Sequence, residues 1–224
     1  PATVQGKLTK FDGSDFDNTD FTGVINNHSL FAQCSITLNG NSVIPSKDLY
    51  HYRSYLETLT YRNDATRTHV INSFWYIDTG NVLRVADPNS AFDNNTNKGF
   101  NNRYNLVKQS KPLELRGKLH PDLFNVSTLL IPGVKTQITL DKSKPDFYLL
   151  SDKVESEAVF KFTDATLFVR HVKTNHSIFI AHSRSQEKVN ARYEFTKVVL
   201  KTFMFSSGIK SLSIDNAVLG TIPN

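Results

Sequence analysis

Apolar and polar residues alternate with a period of two over several separate stretches of the chain. In "LELRGKL" Leu113, Leu115 and Leu119 fall on one face, with Glu114, Arg116 and Lys118 on the other. "VKTQITL" sets Val134, Ile138 and Leu140 against Lys135, Gln137 and Thr139 in the same way. "AQCSITLNG" places Cys34, Ile36 and Leu38 on a common side and then ends in Asn-Gly, the chemistry of a tight hairpin turn. "AVFKFTDATLFVRHV", residues 158–172, shifts phase near Asp164, which predicts either a β-bulge or two strands meeting there. "YEFTKVVLKTFMF", residues 193–205, is the last strand expected. Alternation with one half-exposed face marks antiparallel sheets packed on a core.

Helical periodicity is rarer. "YHYRSYLETLTY", residues 50–61, holds four tyrosines, and Tyr52, Tyr55, Leu56 and Leu59 follow the i, i+3, i+4, i+7 spacing of one buried stripe. Pro45 and Ser46 precede it, with Ser46 as N-cap and Asp48 in the first turn. By the same reading Tyr50, His51, Arg53 and Glu57 face solvent or a neighbour. A second helix is expected over 66–76, with Val70, Phe74 and Ile77 on one side. "PDLF" and "HSIFIAHSRSQEK" read as short helical insertions. The Asn- and Gly-dense stretch 86–105 reads as an exposed loop, as does "FDGSDFDNTDFTG" at 11–23. The expected fold class is mainly β: a jelly-roll β-sandwich with short helices inserted in the loops.

Composition narrows this little. The chain has 224 residues, enough to bury a sizeable core, and 39% hydrophobic with 21% charged residues is a globular balance. A formal net charge of +5 favours solubility without specifying a partner. No apolar run is long enough to span a bilayer, so no membrane is expected as a partner. The opening residues "PATVQGKLTK" have no signal-peptide core, which points to an intracellular, reducing origin, and the start at Pro1 leaves room for material upstream. Sequons begin at Asn27, Asn94, Asn125 and Asn175, and without a secretion signal they carry no weight.

The chain carries almost no recognisable catalytic or ligand-binding pattern. Cys34 is the single cysteine, so there is no internal disulfide and no multi-cysteine zinc site; its place in a strand predicts a buried, inert thiol. His171, His176 and His182 match no compact metal spacing, and His171 falls within the expected strand. Asp15, Asp17 and Asp20 cluster in a polar loop whose spacing is not that of a calcium site. There is no nucleophile elbow, and "SSGIKS" lacks the phosphate-loop spacing. Lys108, Lys111, Arg116 and Lys118 form a short basic run, with Lys142 and Lys144 another, but the neighbouring aromatics alternate inward rather than forming a stacking platform. No catalytic, cofactor-binding or metal-binding residue is assigned, no cofactor is implied, and the chain is not expected to be an enzyme.

One likeness adds to this. "LFAQCSITLNGNSVIPSKDLYHYRSYLETLTY" resembles a segment of the hexon-type major capsid proteins of adintoviruses and Polinton (Maverick) elements. The likeness continues in order through "FWYIDTG", "GKLHPDLF", "IPGVKTQITLDKSKPDFYLLS", "ATLFVRHVKTNHSIFIAH" and the terminal "NAVLGTIP". Several motifs in one order, covering roughly residues 29 to 222, are more specific than any single one. The resemblance implies a double jelly-roll capsid subunit, three copies of which form a pseudo-hexagonal capsomer. Residues 1–224 would then be one jelly-roll domain, the first of two. Two departures stand out: the family's upstream strand-bearing segment is absent or degenerate here, and the chain stops at Asn224 where the family continues into a second roll. A fragment, a processed product and a single-roll relative all fit those departures. The resemblance further implies a virion protein assembled inside the host cell, a homotrimer meeting other capsid subunits such as pentons, with non-specific contact to packaged DNA. The alternative is a jelly-roll binding module for glycan or nucleic acid, without catalysis.

Overall fold

The computed structural model describes residues 1–17, 24–25, 29–44, 49–60, 70–76, 98–150, 158–208, 211 and 213. The chain is mainly β. Strands β1 (Ala2–Lys10), β5 (Leu113–Gly117) and β8 (Ala158–Leu167) form one antiparallel sheet in the order β5-β1-β8. Strands β3 (Phe31–Leu38), β4 (Asn41–Ile44) and β6 (Thr136–Lys142) form a second, in the order β4-β3-β6. A two-residue ladder joins β2 (Val24–Ile25) to β7 (Leu149–Leu150). Helices α1 (Tyr50–Thr60), α2 (Lys98–Val107), α3 (Pro145–Tyr148) and α4 (His176–Gln186) lie in the connections.

The second sheet follows the expected pattern. Cys34 and Ile36 are buried, and Asn39 and Gly40 turn the β3–β4 hairpin with φ of 50° and 83°. Two positive φ values in succession are what a two-residue hairpin needs, and Asn and Gly tolerate them best. The Asn39 side chain also accepts from the Lys135 amide at 2.9 Å, tying the turn to the entry of β6.

In the first sheet, the phase shift near Asp164 is a bulge inside one continuous strand. Gln5 pairs with Asp164 but Gly6 pairs with Phe162, so Thr163 is the extra residue. Gly6 is required there: a Cβ would meet the Lys161 carbonyl at 2.3 Å and the Phe160 ring at 2.6 Å. Strand β1 itself went unread in the sequence. It is the middle strand, and Thr3 and Thr9 are buried as well as Val4 and Leu8.

The main core lies against this sheet, built from Val4, Leu8, Leu113, Leu115, Ala158 and Phe160 with Leu30, Phe74, Val107, Tyr148 and Leu149. The two sheets meet where the Phe31 and Phe162 rings stack at 6.0 Å and where Lys142 Nζ donates to the Phe160 carbonyl at 2.7 Å.

Four expectations are corrected. Residues 98–105, read as loop, belong to α2, because burial of Arg103, Tyr104 and Val107 overrides the weak helix propensity of the asparagines. Residues 193–205 form no strand among the described residues; the segment runs past the turn at Asp122–Asn125, where the Val198 amide donates to Asp122. Strand β8 ends at Leu167, so His171 lies outside it. The apolar stripe of α1 is turned outward, as described below. The insertions at 121–124 and 176–188 do contain helices, a 3-10 turn Asp122–Asn125 and α4, whose Asn175 cap accepts from the Ser177 amide. Val70 and Phe74 are buried, while Ser46, Asp48, Ile77 and residues 86–97 lie outside the described residues.

Candidate functional site

Helix α1 buries its polar side. His51, Ser54 and Thr58 are the buried residues, whereas Tyr52, Tyr55, Leu56 and Leu59 are 40–54% exposed. The i, i+3, i+7 set that faces inward is therefore polar, and the stripe expected to be buried is the one on the surface. Tyr55 leans on Trp75 and Tyr52 on Phe147, each edge to face at about 5 Å, but neither is covered.

The reason lies beneath the helix. Arg53 reaches the turn at Asp122–Asn125 and donates from both terminal nitrogens to the two oxygens of Asp122, a planar fork on a carboxylate. Its Nε donates to Glu57 Oε1 at 2.7 Å, one helical turn on. The other oxygen of Glu57 accepts from His120 Nδ1 at 2.6 Å. The His120 amide donates to the Tyr50 hydroxyl, and the Val198 amide donates to Asp122 Oδ2 at 3.1 Å. One continuous network thus links α1, residues 120–122 and the 193–200 segment. Its helix members come from "YHYRSYLETL" and its turn members from "GKLHPDLF".

The electrostatics follow from that wiring. Burial alone would raise the Glu57 carboxyl, but hydrogen bonds from His120 and Arg53 outweigh it and hold the group below its ordinary value. For Arg53 burial works against the charge, and the hydrogen bonds to Asp122 and Glu57 win, so its affinity for the proton rises. Burial pushes the Tyr50 phenol up. An open cleft of about 560 Å³ adjoins the network, lined by Arg53, Glu57, Lys118, Asp122, Glu194 and Thr196. Two of its three carboxylates, Glu57 and Asp122, are hydrogen-bonded to Arg53, and Glu57 also to His120; Glu194 is the third. The network locks three distant segments together.

The other singled-out residues do not converge. Burial raises the Cys34 thiol to about 12, which makes it inert as expected. His171, His176 and His182 are exposed, and no cluster of three metal-ligating side chains occurs among the described residues. Asp15 pairs with Lys7 on the surface, Asp17 is exposed, and Asp20 lies outside the described residues. Lys108 donates to Asn105, Arg116 sits over the Phe168 ring, and Lys142 caps the Tyr148 and Phe162 rings. Burial lowers Lys142 from its ordinary value. The network of Arg53, Glu57, His120 and Asp122 was missed in the sequence because His120 and Asp122 carry no local signal of partnership with residues nearly 70 positions away. Comparison with known protein families, with curated proteins and with solved structures finds no match to this chain.

Proposed function

We propose that this chain is a structural subunit of a protein shell: a jelly-roll subunit of the hexon-type capsid class whose work is self-association into trimeric, pseudo-hexagonal capsomers. The observation that carries the reading is the inverted helix α1. A largely buried network of Arg53, Glu57 and Tyr50 with Asp122 and His120 ties the helix at three points and leaves Tyr52, Tyr55, Leu56 and Leu59 on the outside. Each of the four is two-fifths or more exposed, and exposed apolar residues grouped on one helix face mark interaction sites. A standard interface needs about 800 Å² per partner, so such a stripe suits the centre of a contact with a more polar rim. A second copy of the chain is the partner that a closed three-fold ring supplies. The order of the motifs supports the same reading.

The test is the solution mass of the chain by size-exclusion chromatography with light scattering, at low and high salt. Three chains per particle at both ionic strengths are expected, since apolar burial is insensitive to screening. The double substitution Leu56→Glu with Leu59→Glu should convert the trimer to a monomer of unchanged circular dichroism. A monomeric wild type at every salt and concentration sinks the shell reading; a trimer indifferent to the double substitution moves the interface off α1.

A further inference from the structure

We propose that residues 168–205 form a nucleic-acid-binding arm that grips the phosphate backbone without reading sequence. The first observation is the distribution of charge. Seven of the 26 basic residues and two of the 21 acidic ones lie in this segment, leaving 19 of each sign elsewhere, so the whole formal charge of +5 resides here. The second is exposure: no residue from 168 to 205 is buried, and α4 contributes none to any core. The third is that Arg170, Lys173, Arg184, Lys188, Arg192 and Lys197 make no ion pair among the described residues, in contrast to Lys7 and Arg53. Aromatic rings are interleaved with these cations; Phe168, Phe179, Phe203 and Phe205 are 45–67% exposed. Exposed cations alternating with exposed rings are the pattern that tracks phosphates and stacks on bases.

The choice of partner rests on charge. A second copy of the arm repels this one, and the remainder of the chain, with no net charge, has no excess of acid to attract it. Duplex DNA offers one negative charge per roughly 1.7 Å of axis. An anionic membrane would favour a helix with one apolar face, but Ile178, Phe179 and Ile180 are consecutive and so point in three directions around α4. The expected basic runs at 108–118 and 142–144 are not part of the arm; Lys142 is spent on the Phe160 carbonyl and on two rings.

This inference does not rest on the shell reading, since a monomer would bind equally well. Fluorescence anisotropy of the whole chain with a random-sequence duplex of about 30 base pairs, titrated across sodium chloride concentrations, tests it. Six phosphate contacts predict that log Kobs falls against log[salt] with a slope of about −5, at roughly −0.9 per contact. Changing Arg170, Lys173, Lys188 and Lys197 to Gln should flatten the slope to about −2 and weaken binding at least 100-fold at low salt. A second variant, with Lys108, Lys111 and Lys118 changed to Gln, should bind within twofold of wild type. Absence of duplex binding at low salt, an equal loss in the second variant, or phosphatidylserine vesicles outcompeting the duplex would overturn it.

Discussion

The fork between Arg53 and Asp122 sets the strongest expectation for stability. The two side chains are 13% and 8% exposed, so this pair is largely out of water. Removing one partner of a fully buried pair costs about 3–5 kcal/mol, mostly because the other charge is left stranded. Here Glu57 remains beside Arg53, so Asp122→Asn should cost less, about 2 kcal/mol; the asparagine also keeps an oxygen for the Val198 amide. Arg53→Met takes the guanidinium from two carboxylates, leaving Glu57 with His120 and Asp122 with the Val198 amide, and should cost about 3 kcal/mol. In the double variant neither penalty is complete, because the charge each single change strands is itself gone. The double should therefore cost about 3 kcal/mol rather than 5, a coupling of about 2 kcal/mol. Urea unfolding of all four proteins measures this, with thermal shifts of roughly 2–4 °C per kcal/mol as a second readout for a chain of this size. Additivity within about 0.5 kcal/mol, or single losses below 1 kcal/mol, would show that the network is solvated and does not clamp α1.

Three further outcomes follow from the same geometry. Because the folded Glu57 carboxyl lies below its ordinary value of 4.5, its contribution is complete above that pH and drains away as pH falls through the folded value; stability measured from pH 6 to 3 should fall more steeply in wild type than in Glu57→Gln. With its pKa pushed up to about 12, Cys34 should show no reaction with a disulfide reagent at pH 8 until denaturant is added, when one thiol per chain appears; rapid native labelling would place it at the surface. Gly6→Ala drives a methyl into the Lys161 carbonyl and the Phe160 ring, and should destabilise by about 2–3 kcal/mol; a neutral result would mean that β1 and β8 separate freely at the bulge.

Much of the sheet structure was legible in the alternation. The β3–β4 hairpin, β5, β6 and the bulge in β8 follow from period two and from Asn-Gly, because each depends on local pattern and on a single buried face. Strand β1 escaped because its pattern is broken by Gly6, Lys7 and Lys10, and its burial is imposed from both sides by strands more than 100 residues away. The α1 stripe was found in the right helix but assigned to the wrong side. Periodicity says which residues share a face, not which face is inside, and a polar face whose charges are answered elsewhere in the chain can be the inner one. Residues 193–205 alternate like a strand, yet they pair with no strand among the described residues. The candidate site was illegible for a related reason: Arg53 and Glu57 were visible as a pair four apart, but Asp122 and His120 join them only through the fold.

The central place of β1 also has a temporal side. Its partners lie at 113–117 and 158–167, so the first sheet cannot close until the ribosome has delivered about 160 further residues. At about 5–20 residues per second that interval is roughly 10–30 s, long compared with the folding of a local hairpin such as β3–β4. For the first two-thirds of it the amides along both edges of β1 have no partner, and the edge that takes β8 waits to the end. A strand awaiting both neighbours is a natural substrate for a holding chaperone, and a chain released early would carry that strand bare.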